Sequence, residues 1–195
     1  MRRHIAAALC SALLGLTGSS LAIARPKTPT AGALVTGASN PANDRQVYSS
    51  VKELMESIID PSADVLWGAV GTVLDKEGTH EMLPKTPEEW LDVRRAAVRI
   101  VEGGNLLMMP DRQAAPAGTK SETPGVELEP PEMTALIRKK RKDFNAFAKA
   151  LQRVGLEAVR ASDSKDTDLL VEIGGRMENV CESCHQTFWY PPAKP

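Results

Sequence analysis

The feature that most constrains this chain lies close to its end, in the stretch VCESCHQTFWYPPAKP, Val180 to Pro195. Cys181, Cys184 and His185 form a C-x-x-C-H run. Leu170, Ile173, Met177, Val180 and Phe188 recur around it at helical spacing, which predicts a helix from about Ser164 to Asp168 up to Pro191-Pro192. Successive helical residues turn by about 100°, so both thiols and the imidazole fall within an arc of about 100° on one face. Any fold adopted by the chain must leave that face room for whatever the three groups hold.

Two thiols so placed can add to the two vinyl groups of a haem, and the imidazole beside them can ligate its iron from the same side. C-x-x-C-H reads as c-type haem attachment for this reason, with Cys181 and Cys184 as thioether residues, His185 as axial ligand and one covalent haem c per chain. A thioredoxin-like C-x-x-C needs a βαβ context, which is not evident here. A structural zinc site wants four ligands, and the other histidine downstream of the N-terminal segment is His80, in an expected loop. A chance match is rare with three Cys and three His in 195 residues.

The N-terminus, MRRHIAAALCSALLGLTGSSLAIA, reads as a secretory signal over residues 1–24: Arg2 and Arg3, a weakly apolar run, then Ala22-Ile23-Ala24 as a small-x-small cleavage site. Gly15, Thr17, Gly18, Ser19 and Ser20 dilute the run below a membrane span. The expectation is a periplasmic protein with no membrane span after cleavage. Loss of Arg2 and Arg3 from 24 Lys and Arg, against 25 Asp and Glu, leaves a net charge of about −3, without the basic face of a nucleic-acid binder. Cys10 leaves with the signal, so Cys181 and Cys184 are the remaining cysteines and no disulfide framework is expected.

Residues 25–44, rich in Pro, Thr, Ala, Gly and Asn, read as a flexible leader. Four helical segments are expected after it, with no convincing strand. The first carries Val47, Val51, Leu54, Met55, Ile58 and Ile59, is kinked or restarted at Pro61, and resumes with Val65, Leu66, Ala69, Val70 and Val73 up to Gly78. The second opens on the capping box Thr86-Pro87-Glu88-Glu89, and Gly103-Gly104 in it permits close packing. Residues 111–129 are polar and proline-rich and read as a long surface loop. The third helix starts near Pro130-Pro131, with a seam of Met133, Ile137, Lys140, Phe144, Phe147, Leu151, Val154 and Ala158, in which Lys140 is the charged intruder. With the motif helix as the fourth, residues 45–190 are expected to be all-α, an antiparallel four-helix bundle with a C-terminal haem-attachment helix.

Few residues follow His185, none of them Met or His, so a second axial ligand is expected from upstream. A helical bundle with C-x-x-C-H on its last helix resembles the cytochrome c′ and cytochrome c556 family, over about residues 45 to 190. The resemblance implies that the first helix covers the far face of the haem. Low-spin members place a methionine there, and high-spin members a non-coordinating apolar residue. In VYSSVKELMESI the candidate ligand is Met55, a thioether that favours a raised reduction potential; methionine as core filler is the competing reading. Many cytochromes c′ carry a basic residue four positions after the motif histidine; here that position is Trp189.

The reading is therefore an electron-transfer protein with His185/Met55 ligation, an unknown redox partner protein and no catalytic residues. A five-coordinate NO- or CO-binding haem protein is the alternative, and peroxidase-like activity would need a distal acid–base group. The basic run Arg138, Lys139, Lys140, Arg141 and Lys142 reads as a solvated face, or as cations for haem propionates or an acidic partner. The resemblance also implies a possible homodimer through the first two helices.

Overall fold

The computed structural model describes residues 46–192, which form a largely helical unit with one small two-stranded sheet. The expected signal (1–24) and leader (25–44) lie outside the described residues. The elements run α1 (Val51–Leu54), a π-helical turn (Met55–Ile59), α2 (Asp60–Ala69), β1 (Gly71–Asp75), β2 (Gly78–Met82), α3 (Pro87–Leu107), α4 (Pro130–Lys139), α5 (Arg141–Ser164) and α6 (Thr167–Phe188).

Local chemistry sets most of the boundaries. Ser50 and Thr86 each close a capping box, with Glu53 and Glu89 respectively, at the start of α1 and α3. Asp166 accepts the Leu169 amide at 2.9 Å to begin α6, and Lys165, at φ 55°, ends α5 in a left-handed cap. The core sits where α3 lies against α5, and α5 in turn against α6. Ile100 and Ala158 are fully buried there, as are Ile173 and Met177 of α6. Gly104 makes the α3–α5 approach possible: a β-carbon on it would stand 2.4 Å from Gln152 Cγ and 3.0 Å from the Ala148 carbonyl.

Two expectations of the helix pattern are corrected. The first helix does not run on to Gly78; it ends at Ala69, and residues 71–82 form an antiparallel hairpin in which Val73 pairs with His80. The β-branched pair Thr72-Val73 next to Gly71 disfavours helix, and Glu77 N–H closes the turn on Asp75 Oδ1 at 2.8 Å. His80 is thus a strand residue, paired with Asp75 at 3.1 Å, and Val73 is exposed rather than part of a buried stripe. The third helix is in fact two. Lys140, at φ −108° and ψ 40°, breaks α4 from α5, so the charged intruder leaves the seam for solvent.

The 111–129 segment is also more than a surface loop. Arg112 is 4% exposed and donates to the carbonyls of Leu106 and Ser49, while Val51 and Lys52 donate their amides to Gln113 and Ala114 at 2.9 Å each. Leu128 N–H reaches the Trp189 carbonyl at 2.9 Å, so the segment joins the start of α1 to the end of α6.

Candidate functional site

The C-terminal half of α6 is amphipathic up to its last turn, where Phe188 is buried edge-on against Phe144 (5.3 Å between ring centroids) and Phe147 (6.3 Å) of α5. This anchor orients the face carrying Val180, Cys181, Cys184 and His185, all half-buried. Both cysteines are free thiols. Burial pushes Cys181 up to about 11 and Cys184 up to about 12, with the carboxylate of Asp60 adding to the first, so both remain protonated at neutral pH. Burial also pushes the His185 imidazole below its ordinary value, against the opposing pull of the Glu182 and Asp60 carboxylates. At neutral pH it therefore offers a neutral ring, the form that ligates metals.

Two cavities adjoin this face. One, of about 260 Å³, lies between α6, α2 and α5 and is lined by Ile59, Ala63, Phe147, Leu151 and Val180 among others. The second, of about 310 Å³, is lined by the 111–129 segment and by Met133, Phe144 and Trp189. Met55, Asp60, Cys184 and His185 line both. The second lies at the lower end of the range of roughly 300–1,000 Å³ in which proteins hold small molecules and cofactors, and the first just below it.

Met55 opens the π-helical turn and is half-buried, so the sequence-chosen methionine does share space with the motif residues. Of the others, Met177 is sealed in the core, Met82 lies on β2, Met108 and Met109 follow α3, and Met133 lines the second cavity from α4. His80 lines neither cavity. Among the described residues, no group of three or more His, Cys, Asp and Glu converges on a metal-sized point.

The basic run lies elsewhere. Arg138, Lys139, Lys140 and Lys142 are exposed, while Arg141 turns in to donate to the Met108 and Met109 carbonyls at 2.7 and 2.8 Å and lies over the Phe144 ring. None of the five lines either of these two cavities; Lys52 and Lys120 line the second, and Lys52 is paired with Glu56 and Glu122. Trp189 sets its ring edge-on to His185 at 5.2 Å. Tyr190 donates its hydroxyl to Glu182, and its own ionisation is pushed up to about 12.

Asp60, the loop wall and Lys52 went unremarked in the sequence. Asp60 sits directly before Pro61 and reads there as a turn residue, while the loop residues carry no periodic signal. Comparison of the chain with protein-family models, curated proteins and solved structures gave no match.

Proposed function

We propose that this protein is an exported, periplasmic monohaem c-type cytochrome that transfers electrons, with haem bonded to Cys181 and Cys184 and its iron held by His185 and Met55. The observation that carries the reading is the joint lining of two cavities by Met55, Cys184 and His185, which belong to separate helical segments. The residues present fit the group. Two unpaired thiols and a neutral imidazole share one half-buried face, and the adjoining walls are mainly apolar. On this reading α1 to α2, α3, α4 to α5, and α6 are the four members of a bundle of the cytochrome c′ kind.

The chain's own residues would act as follows. Cys181 and Cys184 would hold the group as thioethers, each S–H adding across one vinyl double bond with sulfur on one carbon and hydrogen on the other, so no outside oxidant would be needed. His185 supplies its neutral nitrogen, and the aromatic rings of Trp189 and Tyr190 beside it limit how the imidazole can turn. Phe147, Leu151, Val180 and Ile59 would give the group apolar wall in the first cavity. The haem itself, when bound, supplies the one-electron couple, and a thioether from Met55 favours a raised potential.

The test is the optical spectrum of the purified protein in both oxidation states, beside a Met55→Ala variant. A covalently attached haem with a low-spin spectrum that turns high-spin in the variant is the expected outcome. A high-spin spectrum indifferent to the substitution leaves the iron five-coordinate and transfers the assignment to NO or CO binding. Purified protein without covalent haem overturns the reading altogether.

A further inference from the structure

Met55 owes its place to an irregularity. The segment from Val51 to Ala69 is not one α-helix: the Asp60 amide bonds back five residues, to the Met55 carbonyl, in a π-helical turn. Such a turn holds one residue more than an α-turn, so closing it to α-helical spacing would rotate everything before it by about 100° relative to α2. A rotation of that size is the difference between a Met55 that faces the cavities and one that does not. Pro61 provides a reason for the turn to form, because its ring would crowd the carbonyl of Ser57 in an unbroken α-helix and it lacks an amide to donate.

A proline alone permits several kinks, and the geometry of the neighbouring groups selects one. Ser62, 1% exposed, donates its hydroxyl to the Ile58 carbonyl at 2.5 Å, a back-bond that bends a helix. The same oxygen accepts Arg99 Nε–H from α3 at 3.0 Å. One turn further along α3, Gly103 makes room for the turn itself: a β-carbon there would stand 2.8 Å from Ile59 Cγ1. A buried hydroxyl with a charged donor on one side and a helix carbonyl on the other is a fixed point in an otherwise apolar contact.

We propose that Ser62 and Arg99 are positioning residues that hold the π-helical turn and so set Met55 in register with His185. The inference rests on the His185/Met55 reading above. Ser62→Ala removes the link and Arg99→Gln weakens it, whereas Ser62→Thr keeps a hydroxyl able to reach the same carbonyl.

The experiment uses the haem-loaded protein and its Ser62→Ala, Ser62→Thr and Arg99→Gln variants. Thioether ligation is read from the weak far-red absorption of the ferric protein and from the reduction potential, with thermal melting beside them. The expected result is a roughly fivefold fall in the ligated-to-open ratio in Ser62→Ala, a smaller fall in Arg99→Gln and retention in Ser62→Thr. Amide exchange at residues 58–62 of the unloaded chain should quicken in the same order. Variants that melt lower yet keep the full thioether band make the pair merely structural and overturn the inference alone. Wild-type protein with covalent haem but no thioether band removes the Met55 assignment, and this inference with it. Absence of covalent haem removes both at an earlier step.

Discussion

The α3–α5 contact and the α6 contact with the α1–α2 segment are built from similar residues but finished differently. On the first side Ile100, Ala97 and Ala158 are fully buried, and packing is close enough to demand a glycine at position 104. On the second, Met55, Val180, Cys181 and Cys184, with Phe147 of α5 beside them, pack against the same core yet stay half-buried, facing cavities. Apolar surface left facing space in a well-packed protein forgoes the contacts that stabilise the rest. The difference teaches that one seam is complete as protein, whereas the other is consistent with a seam completed by a bound group.

The largest effect that could break this comparison comes from removing the attachment residues. The Cys181→Ala/Cys184→Ala double variant is expected to lose covalent haem entirely, read as haem released by acidic organic solvent. Amide exchange in this variant should be faster by about tenfold or more across residues 51–60 and the second half of α6, with α3 and α5 little changed. Uniform loss of protection across both regions would show that the second seam is no less self-sufficient than the first.

A substitution in the complete seam tests the other side. Gly104→Val inserts three carbons where one already meets Gln152 and the Ala148 carbonyl. We expect a loss of about 1–3 kcal/mol in thermal or denaturant unfolding. The strain should fall mainly on the Gln152 side chain, which lines neither cavity, and less on the Ala148 backbone, which borders the first, so the loss should depend only weakly on haem. A loss that depends strongly on haem loading would couple the two seams and blur the distinction.

How much of this was legible in the sequence follows from which signals are local. The capping box at Thr86 and the shared face of Cys181, Cys184 and His185 depend on residues a few positions apart, and local spacing places them. The Ser50–Glu53 box, which starts α1 after Val47 rather than with it, was not anticipated, and Gly104 announced close packing without naming its partners Gln152 and Ala148 on α5. The hairpin was hidden because neither of its strands buries a face, so Thr72, Val73 and Leu74 carry no alternation to read. Lys140 was visible as an oddity but not as a break, since a single charged residue fits either a kink or a solvated edge. Arg112 was beyond reach for a different reason. Its partners Leu106 and Ser49 are brought together only by the fold, and nothing in a polar, proline-rich loop marks one arginine as buried.

The smallest effect sharpens the comparison most finely, because both regions begin with the same device. Thr86 Oγ1 accepts the Glu89 amide at 3.1 Å while Glu89 accepts the Thr86 amide at 2.9 Å; Ser50 and Glu53 repeat the exchange at 3.2 and 2.8 Å. Loss of either hydroxyl should cost its helix about 1 kcal/mol. In Thr86→Ala that loss falls on α3, which the global transition must melt, so the midpoint should drop by roughly 2–4 °C. In Ser50→Ala it falls on a four-residue helix beside the cavities, and the expected result is faster exchange at residues 51–55 with little change in the midpoint. Backbone amides, of Lys85 and Thr86 for Glu89 and of Ser50 for Glu53, hold both carboxyls below the usual carboxylate range. A depressed folded-state value means support that is present above the ordinary value and lost as the pH falls through the lowered one. Wild-type and Thr86→Ala melts should therefore both fall in acid and roughly in parallel, because the backbone amides that hold the Glu89 carboxylate remain in the variant, whereas Glu89→Gln should flatten that part of the pH profile. Equal drops in midpoint for the two cap variants would mean that both regions unfold as one unit, and the contrast between the seams would then be one of packing without being one of stability.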